Sequence, residues 1–231
     1  MLNRIYRHDM LFLTMQGQVN AWENRMSRQE EDLLCKKSYP NIPAICTGRQ
    51  DELERGRLRI GLSYPMKANG ARHRIVSYIL PDEVSSVRTP WSAAHTGKPL
   101  PEPFASIAKE LEDIATSCGI AFGLFGAAAL QRVTGLPYLH EGSDIDIVLC
   151  CMGENDLIRF ASLMQEIERK SKIRIDAEVL LDPHSGVKLK ELLGGQATVL
   201  VKSSGEPKLL SRRAAWDAVQ TADKEYHIYK S

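Results

Sequence analysis

The sequence predicts a mixed α+β / α/β chain. A C-terminal domain with a mixed sheet flanked by helices follows a smaller, β-containing N-terminal domain. Three observations carry this. Residues 104–219 alternate between amphipathic helical and apolar strand patterns. Residues 58–80 show strand-type alternation around the turn signal Ala68-Asn69-Gly70. Between them lies TPWSAAHTGKPLPEPF, whose Pro99, Pro101 and Pro103 resist both helix and central strand. That stretch sets the expected domains at 1–98, for substrate or partner binding, and 99–231, for catalysis.

Bulk composition bounds the function. The 231 residues are 43% hydrophobic and 26% charged, ordinary for a folded protein with a sizeable core. A formal net charge of +1 gives no global signature of a nucleic-acid polymer binder, so any basic site is local. The five cysteines (Cys35, Cys46, Cys118, Cys150 and Cys151) form no CxxC pair, which argues against zinc or a disulfide framework and for reduced thiols. The apolar run Met10 to Met15 is too short for a signal peptide or a membrane span. A cytoplasmic protein without membrane association is expected.

The elements follow in order. Met10 to Met15 reads as a strand or a buried helical turn. Ala21 to Lys37 reads as helical, with Trp22, Met26 and Leu33 inward. Pro40 and Pro43 bracket a break, and Pro43 to Cys46 reads as a short strand. Leu58 to Leu62 and Arg72 to Leu80 read as a hairpin, which places Arg72 and Arg74 on one strand. Their basic face is either simply solvated or a surface for phosphate or an acidic partner.

Phe104 to Cys118 is an amphipathic helix stopped at Gly119. Ile120 to Phe125 is a strand, and Gly126 opens a helix that ends near Gly135. Ser143 to Cys151 is an apolar strand interrupted by two aspartates. Glu154 to Ser171 is a helix, and Ile173 to Leu181 a further strand. Asp182 to Gly186 reads as a turn, Val187 to Leu193 as a short helix, Ala197 to Val201 as a strand, and Ser211 to Val219 as a last helix before frayed terminal residues.

The chemistry gathers in FGAAALQRVTGLPYLHEGSDIDIVLCC, residues 125–151. Asp144 and Asp146 are two apart, so in a strand they share a face. Asp176 lies in the next strand, with Glu178 on the same face. A β–α–β arrangement brings Asp176 beside the first pair. Carboxylates in a strand are costly without a partner, and Mg²⁺ is the partner that would also serve phosphoryl chemistry. Gly126, at the start of a helix, leaves backbone N–H groups for phosphate oxygens. Without the third acid, the two aspartates would read as turn caps beside Ser143. His8, His140, His184 and Lys202 fall at loops or strand ends and read as structural or exposed. Ser185 and Ser203 have no histidine–acid pattern, so hydrolase chemistry has no support.

Gly126, Asp144-Ile145-Asp146 and Asp176, taken in order, resemble the DNA polymerase β-like nucleotidyltransferase superfamily. QRVTGLPYLHEGSDIDIVL, DAEVLLDPHSGVKLKELL, VLVKSSGEPKLL and the opening RHDMLFL resemble phosphoribosyl-dephospho-CoA transferase, the holo-acyl-carrier-protein synthase of malonate decarboxylase. The resemblance implies a nucleotidyltransferase-like fold for residues 99–231. It implies transfer of a prosthetic group from 2′-(5″-triphosphoribosyl)-3′-dephospho-CoA to a serine of the decarboxylase acyl carrier protein, releasing pyrophosphate. By position, Asp144 and Asp146 would hold Mg²⁺, and Asp176 would complete the metal site or help deprotonate the serine. Gly126, Ala127 and Ser143, with Arg72 and Arg74, would meet phosphate or substrate. Ala127 departs from the superfamily, which usually has serine there. The backbone N–H groups stay and a hydroxyl is lost. The alternatives are another nucleotidyltransferase, such as an adenylyltransferase, or a carrier-binding protein without activity.

Overall fold

The computed structural model describes residues 5–49, 56–68, 71–151, 153–203 and 206–226. The Asn69-Gly70 turn, most of the 49–59 segment and the last five residues lie outside them. The chain forms two compact units, Met1–Thr89 with Leu136–Tyr138, and Pro90–Gly135 with Leu139–Ser231. The division falls at Thr89, earlier than the 98/99 boundary expected from the prolines.

The first unit is a five-stranded antiparallel sheet with two helices. Its elements are β1 (Met10–Leu13), α1 (Met15–Glu23), α2 (Glu30–Ser38), β2 (Ala44–Arg49), β3 (Leu58–Ala68), β4 (Ala71–Ile79) and β5 (Val84–Arg88). The strand order is β4-β3-β2-β1-β5. Leu11, Ala44, Leu58, Ile60, Ile75 and Ile79 make its apolar centre. Thr14 starts α1 by accepting the Gly17 N–H at 3.0 Å. Of the expected inward residues of the helical stretch, Trp22 packs against this core, whereas Met26 and Leu33 are 65% and 63% exposed. The buried positions of α2 are Asp32 and Cys35. Asp32 lies 2.8 Å from His73 Nε2 on β4 and 3.4 Å from Arg25 Nε, so an ion-pair cluster turns the helix. Arg25 and Lys36 lie 4.0 and 4.4 Å from the Trp22 ring centroid.

The second unit is built on a six-stranded mixed sheet, ordered β11-β10-β9-β8-β7-β6. Its elements are α3 (Pro90–His95), α4 (Phe104–Ser117), β6 (Ala121–Phe125), α5 (Gly126–Thr134), β7 (Ile145–Cys150), α6 (Glu154–Ser171), β8 (Ile175–Asp182), β9 (Ser185–Lys188), α7 (Leu189–Leu192), β10 (Thr198–Ser203), β11 (Lys208–Ser211) and α8 (Arg212–Tyr226). Only β7 and β8 run parallel, joined by α6, and the other strand pairs are antiparallel. This arrangement is consistent with a nucleotidyltransferase-like fold. The stretch read as a helix from Val187 to Leu193 is instead a strand followed by one helical turn. The strand wins because Val187 pairs with both Val179 and Val201 and is fully buried between them.

All five cysteines are buried, and none forms a disulfide. Among the described residues no helix is long and apolar enough to cross a membrane.

Candidate active site

The site is set by the register of three strands. Phe125 on β6 is opposite Asp146 on β7, and Asp146 is paired with Asp176 on β8. Paired residues in neighbouring strands point to the same face, and the strands lie about 4.8 Å apart. Asp146 and Asp176 therefore project side by side. The β7–β8 ladder runs from Ile145–Ile175 to Leu149–Val179. The Ile145 N–H donates to the Arg174 carbonyl at 3.0 Å. The Ile175 N–H donates to Glu168 Oε1, from the end of α6, at 2.7 Å. Asp144 sits just before β7 rather than within it. It is 42% exposed and lies 3.8 Å from Arg174 Nη2.

Gly126 backs directly onto Asp146. Its φ is +63°, and a Cβ there would lie 1.9 Å from Asp146 Oδ2. Any other residue would be strained and would displace the carboxylate. Gly126 also begins α5, whose N-cap Phe125 offers no side-chain hydrogen bond. Ala127 is buried, with 4% exposure, so its β-carbon faces the interior. Ser143 closes the preceding loop. Its Oγ accepts the His140 N–H at 3.0 Å, and its own N–H donates to the His140 carbonyl at 2.8 Å.

One neighbour was not legible as a site residue. Lys188 on β9 is opposite Glu178, and its Nζ lies 2.9 Å from Asp176 Oδ2. The hydrogen bond to Asp176 raises the Lys188 pKa, burial opposes the rise, and Asp176, Glu191 and Asp146 add to it. Buried Glu178 lies over Gly186, where a Cβ would come within 2.5 Å of Oε1. The strand reading of Ser185-Gly186-Val187-Lys188 would have placed Gly186 and Lys188 on one face. Higher on the same face, Pro90 and Trp91 of α3 cover Gly123 and Val148.

The arginines expected at phosphate belong to the first unit. The Arg72 Nη2 donates to the Tyr138 carbonyl at 2.8 Å, and the guanidinium lies 5.5 Å from the Tyr138 ring centroid. Tyr138 Oη donates to the Ser63 carbonyl at 2.8 Å, and burial raises its pKa. Arg74 is exposed on β4, opposite Ser63. His8 and His184 occupy turns.

Among the described residues no three His, Cys, Asp or Glu side chains are gathered so as to hold a metal ion. Arg174 and Lys188 instead partner Asp144 and Asp176. In kind, the residues fit a divalent cation. Two carboxylates are adjacent, a third precedes them by two residues, and an ammonium already stands where a cation would bind Asp176.

Comparison with known proteins places the chain among transferases. Residues 91–213 match the model of the phosphoribosyl-dephospho-CoA transferase MdcG C-terminal domain. The chain is 26% identical to a phosphoribosyl-dephospho-CoA transferase of Bradyrhizobium diazoefficiens, covering 89% of this chain and 90% of the relative. It is 28% identical to one of Xanthomonas campestris pv. campestris, covering 75% and 80%. One of Pseudomonas fluorescens is 23% identical, covering 91% and 95%. No solved structure matches the chain. The chain belongs to the phosphoribosyl-dephospho-CoA transferase family.

Proposed function

We propose that this protein transfers the phosphoribosyl-dephospho-CoA group from 2′-(5″-triphosphoribosyl)-3′-dephospho-CoA to a serine of the malonate decarboxylase acyl carrier protein. The observation that carries the reading is the strand pairing of Asp146 with Asp176 beside Gly126, in a chain of this family. The serine oxygen bonds to the phosphorus attached to the ribose. The bond from that phosphorus to the bridging oxygen breaks, and pyrophosphate leaves. The hydroxyl proton passes to a carboxylate of the site or to water.

Asp144, Asp146 and Asp176 are the residues that would hold Mg²⁺. When bound, the ion neutralises phosphate charge and lowers the barrier to displacement. The missing Cβ of Gly126 leaves the room Asp146 would need for this. Asp176 is the carboxylate nearest Lys188 and is the candidate to orient the serine hydroxyl. The N–H groups at the start of α5 suit phosphate oxygens. Exposed Arg74 suits an acidic carrier surface.

The test is pyrophosphate release with apo-carrier protein and Mg²⁺, comparing the triphosphoribosyl donor with ATP. The expected result is release from the triphosphoribosyl donor only, and only with carrier present. Release from ATP alone would make the protein a different nucleotidyltransferase. Release from neither, with the carrier still bound, would make it a binding protein.

A further inference from the structure

Lys188 has a place in the site that goes beyond the proposed function and rests on it. Its ammonium meets Asp176 at 2.9 Å, and the two side chains are 38% and 37% exposed, so ligands can reach both. One strand further, Lys202 on β10 is paired with Gly186 on β9. Gly186 and Lys188 are two apart in β9, so Lys188 and Lys202 stand on the face that carries Asp146 and Asp176. Across β7, β8, β9 and β10 this face therefore carries Asp146, Asp176 with buried Glu178, then Lys188, then Lys202 further along, level with Leu180.

That order has a consequence for a polyphosphate donor. Two adjacent carboxylates repel phosphate, and a cation must come between them. Lys188 holds one oxygen of Asp176, Oδ2, which such a cation would contest. Once released, the ammonium sits between the carboxylates and Lys202, where phosphate oxygens bound to the cation can accept from it.

We propose that Lys188 is a positioning residue that exchanges partners. It is bound to Asp176 in the donor-free protein, and to a phosphate of the donor once a divalent cation takes Asp176. The exchange predicts effects of opposite sign from one substitution. A lysine whose charge reaches neither ligand would shift neither.

The experiment is calorimetric titration of the full chain and of Lys188→Met and Lys188→Arg, first with Mn²⁺ alone and then with inorganic triphosphate at saturating Mg²⁺. Thermal unfolding confirms that the variants are folded. Because the pair is partly solvated, Lys188→Met should tighten Mn²⁺ binding by about two- to fivefold and weaken triphosphate binding by about as much. Lys188→Arg should keep triphosphate affinity near the unsubstituted value. Mn²⁺ affinity unchanged or lowered in Lys188→Met, or triphosphate affinity unchanged, would overturn the exchange while leaving the metal site in place. Mn²⁺ bound by no variant and not by the unsubstituted chain would overturn the metal-site reading, and the exchange with it.

Discussion

At the scale of single residues, Gly126 does most to define the site. Its left-handed backbone and its close approach to Asp146 Oδ2 leave no room for a Cβ. Gly126→Ala should cost about 1–2 kcal/mol of stability through the backbone alone. It should also lower turnover by more than about tenfold, because a carboxylate displaced by an ångström loses its alignment. Chemical unfolding and steady-state kinetics check the two effects separately. Unchanged turnover in a folded variant would remove Asp146 from the reaction centre. Gly126, Asp146 and Asp176 were legible in the sequence because a glycine at a strand–helix junction and acids inside apolar strands break the local pattern. Lys188 was not. Val187, Leu189, Leu192 and Leu193 also satisfy helical spacing, so the strand that aims Lys188 at Asp176 was hidden. Pairing with Val179 and Val201 decided the conformation, and pairing is not local information.

At the scale of elements, long periodic segments and short apolar strands such as Ala121–Phe125 were read correctly, and short polar ones were not. The helices α4 and α6 bury regular apolar stripes. Edge strands such as VSSVR and KLLS are too short to show a period. The helix α2 is anchored through Asp32 and His73, which apolar periodicity cannot register.

The entry to β1 holds a comparable buried acid. Asp9 is 2% exposed and accepts the Tyr6 N–H at 2.9 Å. Burial pushes its pKa up to about 7, against the pull of that hydrogen bond. An unfolded Asp titrates near about 3.9. The folded chain thus binds the proton more tightly, so the Asp9 contribution is full below pH of about 4 and is lost as pH rises to about 7. Asp9→Asn should remove this loss. Unfolding curves at pH 5 and pH 8 are expected to converge for the variant relative to the unsubstituted protein. An identical pH response in both would show that Asp9 titrates in its ordinary range.

At the scale of the whole molecule, the chain folds as two units with distinct sheets, one antiparallel and one mixed. The carboxylates belong entirely to the second, whose central strands the family match spans. The motif TGLPYL, the most telling piece of sequence, has a structural reason of its own. Its Leu136–Tyr138 segment belongs to the first unit, where Tyr138 bonds the Ser63 backbone and lies under Arg72. A linear reading assigned that segment to the catalytic domain, because sequence order does not show which core a short loop joins.

The central claim is group transfer at the Asp146–Asp176 pair, and intact-mass measurement of the carrier protein tests it most directly. Apo-carrier is incubated with the triphosphoribosyl donor, Mg²⁺ and either the unsubstituted chain or Asp146→Asn. The carrier should gain the mass of one phosphoribosyl-dephospho-CoA group on a serine with the unsubstituted chain. The rate should fall by at least about a hundredfold with the folded variant, the scale of losing one electrostatic anchor of a transition state. A carrier of unchanged mass with the unsubstituted chain, or equal modification by Asp146→Asn, would contradict the claim.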